Sequence, residues 1–137
     1  MSSRGSSRGS SRGWKPLAAL LATSGVLHFV RPRPFERIVP RQLGDPAPWV
    51  AVSGAAELAC AAGLALPGTR RWAGLATAAL FAAVFPANVQ MAITAQRSNR
   101  TSRAYRAGTL ARLPLQAPLV AWALAIARTR RPDEGGP

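Results

Sequence analysis

The sequence predicts an all-α protein, an antiparallel four-helix transmembrane bundle. Three observations support this fold class: four apolar stretches nearly free of ionised groups, Arg-rich connections between them, and abundant Ala, which lets helices pack closely in lipid. The 137 residues carry a formal charge of +13, from 18 basic and 5 acidic residues, and most of this charge lies outside the apolar stretches. The predicted membrane domain covers residues 14–128.

The first predicted span covers residues 16–30. Pro16 suits the first turn of a helix, and Trp14 and Lys15 suit a membrane interface. At about 22 Å the segment is short for a span. Its membrane location is therefore predicted from the other apolar segments of the chain. The prolines of residues 31–46 prevent a long helix. The mixed apolar and charged side chains there predict a short segment on the membrane surface.

The remaining spans are predicted at residues 47–66, 72–95 and 109–127. The second ends at a tight turn formed by Pro67 and Gly68. The third has 24 residues without a charge, which is rare in soluble domains. Pro86 is expected to kink it, since neighbouring helices can satisfy the carbonyl that proline leaves free.

The two ends of the chain are predicted to be tails. Residues 1–13 repeat Ser, Arg and Gly and are expected to be disordered, and residues 129–137 are expected to be flexible. A nucleic-acid-binding arm is the alternative for the first tail. With three Arg and no aromatic residue for base stacking, we expect no specific nucleic-acid partner. No small-residue cleavage site follows the first apolar segment, so a signal peptide is not predicted.

An even number of spans places both termini on one face of the membrane. Basic residues are almost equally frequent on the two faces, so the positive-inside rule does not decide the orientation. We expect cytoplasmic termini and a location in the cell (inner) membrane, because a long, flexible basic tail is difficult to translocate.

One half of the membrane is predicted to contain a layer of five polar side chains, with Glu57 at its inner limit: His28, Asn88, Gln90, Arg112 and Gln116. The predicted polar cluster within it consists of His28, Glu57, Asn88, Arg112 and Gln116. An unpaired carboxylate at the bilayer centre costs about 2.5 kcal/mol or more, so Glu57 must face other helices and find a partner or a proton. Arg112 and His28 are the basic residues within spans in that half. We therefore expect Glu57 to lie within reach of Arg112 or His28.

Helical spacing refines this polar cluster. Ser24 and His28 are four residues apart and share a helix face, as do Arg112 and Gln116. Asn88 and Gln90 are separated by about 200° around the helix, so they cannot both face inward. We expect Asn88 to be the inward residue.

Three interpretations of the cluster stay open. Glu57 and Arg112 could form a buried ion pair that fixes helix register without chemistry. The cluster could line a pocket for a quinone, a proton or a small substrate. Glu57 could instead contact a partner subunit. The single cysteine, Cys60, is interpreted as a small buried hydrophobic residue, with a redox thiol as the alternative.

Five motifs carry a resemblance to a known family. They are residues 25–32 (GVLHFVRP), 35–40 (FERIVP), 53–58 (SGAAEL), 85–92 (FPANVQMA) and 112–116 (RLPLQ). In this order they resemble the DoxX-like family of small bacterial integral membrane proteins over roughly residues 17–127. The resemblance implies a four-helix, membrane-embedded protein in which His28, Glu57, Asn88 and Arg112 belong to the family signature.

The same resemblance implies an association with membrane redox systems, because the family takes its name from a subunit of a thiosulfate:quinone oxidoreductase. The sequence has no Cys pair, haem-type His pair or nucleotide-binding loop, so neither an intrinsic cofactor nor autonomous enzyme activity is expected. The first hypothesis is an accessory subunit in the lipid bilayer that serves a soluble oxidoreductase or other membrane subunits and faces a quinone. The alternatives are a small transporter or proton-conducting protein, and a purely structural membrane protein.

Overall fold

A computed structural model describes residues 13–129 of the chain. Within this range 84% of the residues are helical and there are no strands, so the prediction of an all-α chain is confirmed. Five helices follow one another: α1 (Trp14–Val30), α2 (Arg33–Glu36), α3 (Pro46–Ala65), α4 (Arg70–Arg97) and α5 (Arg103–Arg128). The predicted tails at 1–13 and 129–137 lie outside the described residues, except for Gly13 and Thr129.

The start of the last helix differs most from the sequence prediction. The polar segment 96–108 was predicted as a connection and the helix was predicted to begin at residue 109, but α5 begins at Arg103. The prediction was wrong because Ser102 caps the helix, with its hydroxyl accepting a hydrogen bond from the Tyr105 backbone N–H at 3.1 Å. A good N-cap lets a helix start in a polar segment, so hydropathy alone placed the boundary too late.

The connection between α1 and α3 is short and partly helical. It contains α2 and a single 3-10 turn, Arg41–Leu43. Asp45 caps α3 by accepting a hydrogen bond from the Ala47 N–H at 3.1 Å. The indole N–H of Trp49 donates to the Leu43 carbonyl at 3.0 Å, which ties the entry of α3 to the preceding turn.

The helices pack in a chain of neighbours. α1 packs on α3, α3 on α4, and α4 on α5. In each pair the second half of one helix meets the first half of the other: Gly25 meets Gly54, Gly63 meets Ala73, and Ala127 meets Gly74. The contacting pairs therefore run antiparallel.

An apolar core lies where the start of α1, the end of α3, the start of α4 and the end of α5 meet. Its least exposed members include Leu17, Leu64 and Ala123, each 0% exposed. Cys60 is a free thiol buried in this core, consistent with its interpretation as a small hydrophobic residue.

Several small residues lie in the helix contacts, and several large apolar residues face outward. Trp72 is 68% exposed and Val52 is 65% exposed, whereas Ala73 and Ala123 are buried. α3, α4 and α5 are long and apolar enough to cross a membrane, and at most 33% of each apolar window is buried inside the protein. This arrangement is typical of helices whose outer faces contact lipid. α1, with 17 residues, lies at the lower limit for a span.

Candidate functional site

The first part of the site is built where α1 crosses α3 at two glycines. A Cβ added to Gly25 would lie 3.0 Å from the Gly54 carbonyl oxygen, and one added to Gly54 would lie 2.6 Å from the His28 Cβ. Neither position has room for a side chain. His28 and Glu57 each follow one of these glycines by three residues, so the close crossing brings the two side chains together.

The imidazole of His28 contacts the carboxylate of Glu57 across this crossing. His28 Nδ1 lies 3.2 Å from Glu57 Oε2, and the Ser24 hydroxyl donates a hydrogen bond to Glu57 Oε1 at 3.1 Å. His28 is 8% exposed and Glu57 is 9% exposed. The expected contact of Glu57 with a basic residue is therefore present, and that residue is His28.

The position of the imidazole proton follows from the neighbours of Nδ1. This nitrogen faces two acceptors, the Ser24 carbonyl oxygen at 2.8 Å and Glu57 Oε2 at 3.2 Å. A lone pair on Nδ1 would face the lone pairs of the Ser24 carbonyl oxygen, so this contact favours the tautomer that carries hydrogen on Nδ1. Oε2 has no hydrogen bond of good geometry among the described residues. Glu57 Oε2 is therefore available to accept a proton.

Phe35 of α2 covers the imidazole. The two rings stack with their centroids 3.7 Å apart and an interplanar angle of 25°. Sequence reasoning missed both this stack and the glycine crossing. The spacing Gly-x-x-His and Gly-x-x-Glu was a signal for the crossing, because small residues mark close helix contacts in lipid. No local pattern indicated the stack, because α2 reaches His28 only through the fold of the connection.

The second part of the site is a pair of amides between α4 and α5. Asn88 donates to the Gln116 Oε1 atom at 3.4 Å, and the Gln116 amide group donates to the Phe81 carbonyl oxygen. Both side chains are buried. Gln90 is exposed and donates to Thr94, so Asn88 is the inward residue of the two, as expected from helical spacing. This contact is neutral and contains no titratable group.

Arg112 takes part in neither contact. It is exposed on α5, and the Glu57 carboxylate contacts His28 instead. The predicted single layer therefore consists of two separate contacts, one titratable and between α1 and α3, the other neutral and between α4 and α5. Within residues 13–129 no group of three His, Cys, Asp or Glu side chains is placed to hold a metal ion.

Residues 17–127 match a family described as a domain of unknown function (DUF8561). The chain belongs to this family. The DUF8561 match runs from the first turn of α1 to the last turn of α5, so it includes both polar contacts. Comparison with curated proteins and with solved structures gives no match.

Proposed function

We propose that this DUF8561 protein is a four-span membrane protein in which α1, α3, α4 and α5 form an antiparallel transmembrane bundle. The outward-facing apolar residues and the three long apolar helices support this arrangement. α1 joins them as a short span because its end carries His28, which pairs with the intramembrane Glu57 of α3. Both termini then lie on one face, which we assign to the cytoplasm.

Within the membrane, the protein serves as an accessory subunit of a redox or quinone-linked system. The observation that carries this proposal is the His28–Glu57 contact of 3.2 Å between two buried side chains. Reduction of a quinone consumes protons, and a buried acid–base pair can hold and transfer one. Ionisable residues inside a membrane are costly and commonly mark proton or substrate paths.

The resemblance to the DoxX-like family supports the same proposal. Its signature residues in this chain include His28, Glu57 and Asn88, all three of which are buried and bonded here. The implied partner is a soluble oxidoreductase or another membrane subunit that supplies electrons, while this chain supplies a proton site next to a quinone. A quinone headgroup that approaches Glu57 from the side of the α1–α3 connection would displace the Phe35 ring from His28.

A quinone-binding measurement tests the proposal. The full chain in lipid nanodiscs would be titrated with decylubiquinone, with quenching of Trp fluorescence as the readout. We expect saturable quenching that weakens about tenfold in Glu57→Gln, the effect of losing one charged hydrogen-bonding partner. Glu36→Gln removes a carboxylate from α2 and serves as the matched control, with binding unchanged. Phe35→Ala should strengthen binding by uncovering the pair.

The same nanodisc titration separates the alternatives. Non-saturable quenching, or equal affinity in Glu57→Gln and the unchanged protein, would rule out the quinone site. A proton-conducting function is favoured by Glu57 Oε2, which has no hydrogen bond within residues 13–129. It predicts Glu57-dependent dissipation of a pH gradient in proteoliposomes without added quinone, measured with an entrapped pH-sensitive dye.

Reporter fusions at residues 1 and 137 test the membrane arrangement. Both reporters should be active on the cytoplasmic face. Reporters on opposite faces would contradict an even number of spans, and two periplasmic reporters would reverse the orientation.

A further inference from the structure

The contact between α4 and α5 leaves a groove on the outer surface of the protein. The part nearer the connection from α4 to α5, of about 320 Å³, is lined by residues that include Gln96, Arg97, Ile93 and Leu110. The part farther from this connection, of about 550 Å³, is lined by residues that include Phe85, Gln116, Ala117 and Leu124. Leu113 lines both parts, so they adjoin and form one groove along the helix pair.

The polarity of the groove changes along its length. Gln96 and Arg97 lie at the end near the connection to α5, where the Gln96 amide donates to the Arg106 carbonyl at 3.1 Å. Below them the lining is formed by apolar side chains, down to the buried Gln116 amide. A groove that is cationic at the membrane surface and apolar below it has the polarity of an anionic amphiphile.

The length of the groove agrees with one leaflet of a bilayer. Arg97 and Phe85 are 12 positions apart on α4, which corresponds to about 18 Å along a helix. One leaflet contributes about 15 Å of hydrocarbon. An acyl chain whose headgroup lies at Arg97 would therefore reach the level of Phe85.

The charge of this part of the chain selects the sign of the headgroup. From Arg70 to Arg128 the sequence has eight arginines and no Asp or Glu. No carboxylate on α4 or α5 can therefore neutralise Arg97. A phosphate with a net negative headgroup would be attracted here, and a zwitterionic lipid would be attracted less.

We propose that the α4–α5 groove binds one anionic phospholipid, with its phosphate at Arg97 and an acyl chain along Ile93, Leu110 and Leu113. This site rests on the membrane location of the helices but not on the redox or quinone role. It lies between α4 and α5, whereas the His28–Glu57 pair lies between α1 and α3. A second protein chain or a quinone in the groove are the competing occupants.

Native mass spectrometry of the full, detergent-solubilised chain tests this site. The probes are dioleoyl phosphatidylglycerol and dioleoyl phosphatidylcholine, added to delipidated protein. We expect one phosphatidylglycerol to be retained in preference to phosphatidylcholine. Arg97→Gln should weaken phosphatidylglycerol binding about fivefold, the factor for one basic residue near an anionic headgroup, and leave phosphatidylcholine binding unchanged.

Two further variants separate the groove from general charge attraction. Arg100→Gln removes an exposed arginine three residues away that does not line the groove, and it should bind both lipids normally. Ile93→Trp should reduce retention of both lipids by filling the groove, and Leu110→Trp repeats this test at a second position. Circular dichroism would verify that each variant is folded.

The proposal is overturned by three results. Equal retention of the two lipids would show that the site does not select an anionic headgroup. Equal losses of phosphatidylglycerol binding in Arg97→Gln and Arg100→Gln would show non-specific charge attraction. Normal retention in both Trp variants would show that the acyl chain does not use the groove. The Glu57→Gln variant should retain phosphatidylglycerol normally. Failure of the quinone proposal would therefore leave the lipid proposal unaffected.

Discussion

The α1–α3 and α4–α5 pairs use the same packing device but hold different chemistry. Both pairs cross at a glycine that has no room for a side chain, Gly54 in one and Gly74 in the other. α1–α3 holds the buried His28–Glu57 pair next to its crossing, whereas α4–α5 holds two neutral amides at Asn88 and Gln116, far along the helix pair from Gly74. The comparison teaches that close crossing alone does not define the candidate site; a titratable pair distinguishes α1–α3.

The two crossings differ in what surrounds the glycine. At Gly54 the nearest atoms are side-chain atoms of His28 and Phe29, while at Gly74 they are backbone atoms of Ala123 and Ala127. The Phe29 ring can change rotamer to accommodate a substitution, but the His28 Cβ is fixed by the backbone of α1. Backbone atoms of a helix cannot move without separating the helices. Both crossings should therefore be intolerant of a side chain, and at Gly74 the two nearest atoms both belong to the backbone of α5.

The largest effect is expected from Gly74→Leu. A Cβ at this position would lie 2.9 Å from the Ala123 carbonyl oxygen and from the Ala127 nitrogen, so the substitution must push α4 and α5 apart. We expect a loss of about 3 kcal/mol in the free energy of unfolding. Titration with SDS in mixed micelles, followed by circular dichroism, measures it.

Gly108→Leu is the matched control for this substitution. Gly108 lies in α5, and a Cβ there has no atom within 4 Å. Leu is a better helix former than Gly, by about 0.5–1 kcal/mol, so the control should be neutral or stabilising. A Gly74→Leu protein as stable as this control would show that the crossing is not close.

A smaller loss is expected when the His28–Glu57 pair is broken. Glu57→Ala removes the partner of both His28 and the Ser24 hydroxyl, and we expect a loss of about 2 kcal/mol in unfolding free energy, about 1 kcal/mol for each of the two polar contacts. A double-mutant cycle between Glu57→Gln and His28→Gln, measured by SDS unfolding, should give a coupling energy near 1 kcal/mol. Strict additivity would show that the two side chains do not interact.

The neutral amides should contribute less. Gln116→Leu removes the acceptor of Asn88 and the donor to the Phe81 carbonyl, and we expect a loss of about 1 kcal/mol, as found for hydrogen bonds between membrane helices. Gln90→Leu, at an exposed position on α4, should change stability little. Equal losses in the two variants would contradict the buried amide contact.

The smallest effect is expected at Arg112. Its exposed side chain has no carboxylate on α4 or α5 to pair with, so Arg112→Gln should change the free energy of unfolding by less than about 0.5 kcal/mol. When Arg112→Gln is combined with Glu57→Gln, the two losses in unfolding free energy should be additive in the same assay. A coupling energy above that of the His28 cycle would restore Arg112 as the partner of Glu57.

Local sequence signals located most of the helices correctly. Apolar runs, the turn after Leu66 and the proline-rich connection placed three helix starts within about two residues of those observed, because burial and lipid contact both require continuous apolar segments. The start of α5 was the exception, since a single capping hydroxyl at Ser102 extended it into a polar segment. Helical spacing also selected Asn88 over Gln90, which is a property of one helix alone.

The sequence by itself determined that Glu57 needs a partner, because a carboxylate in an apolar segment is costly wherever the helix lies. Only the tertiary structure decided which partner. His28 and Arg112 are both basic residues in the same predicted half, but the choice depends on which helix α3 crosses and at what distance. The Gly25–Gly54 crossing brings α1 within contact of α3 and places His28 beside Glu57, while Arg112 lies on the exposed face of α5.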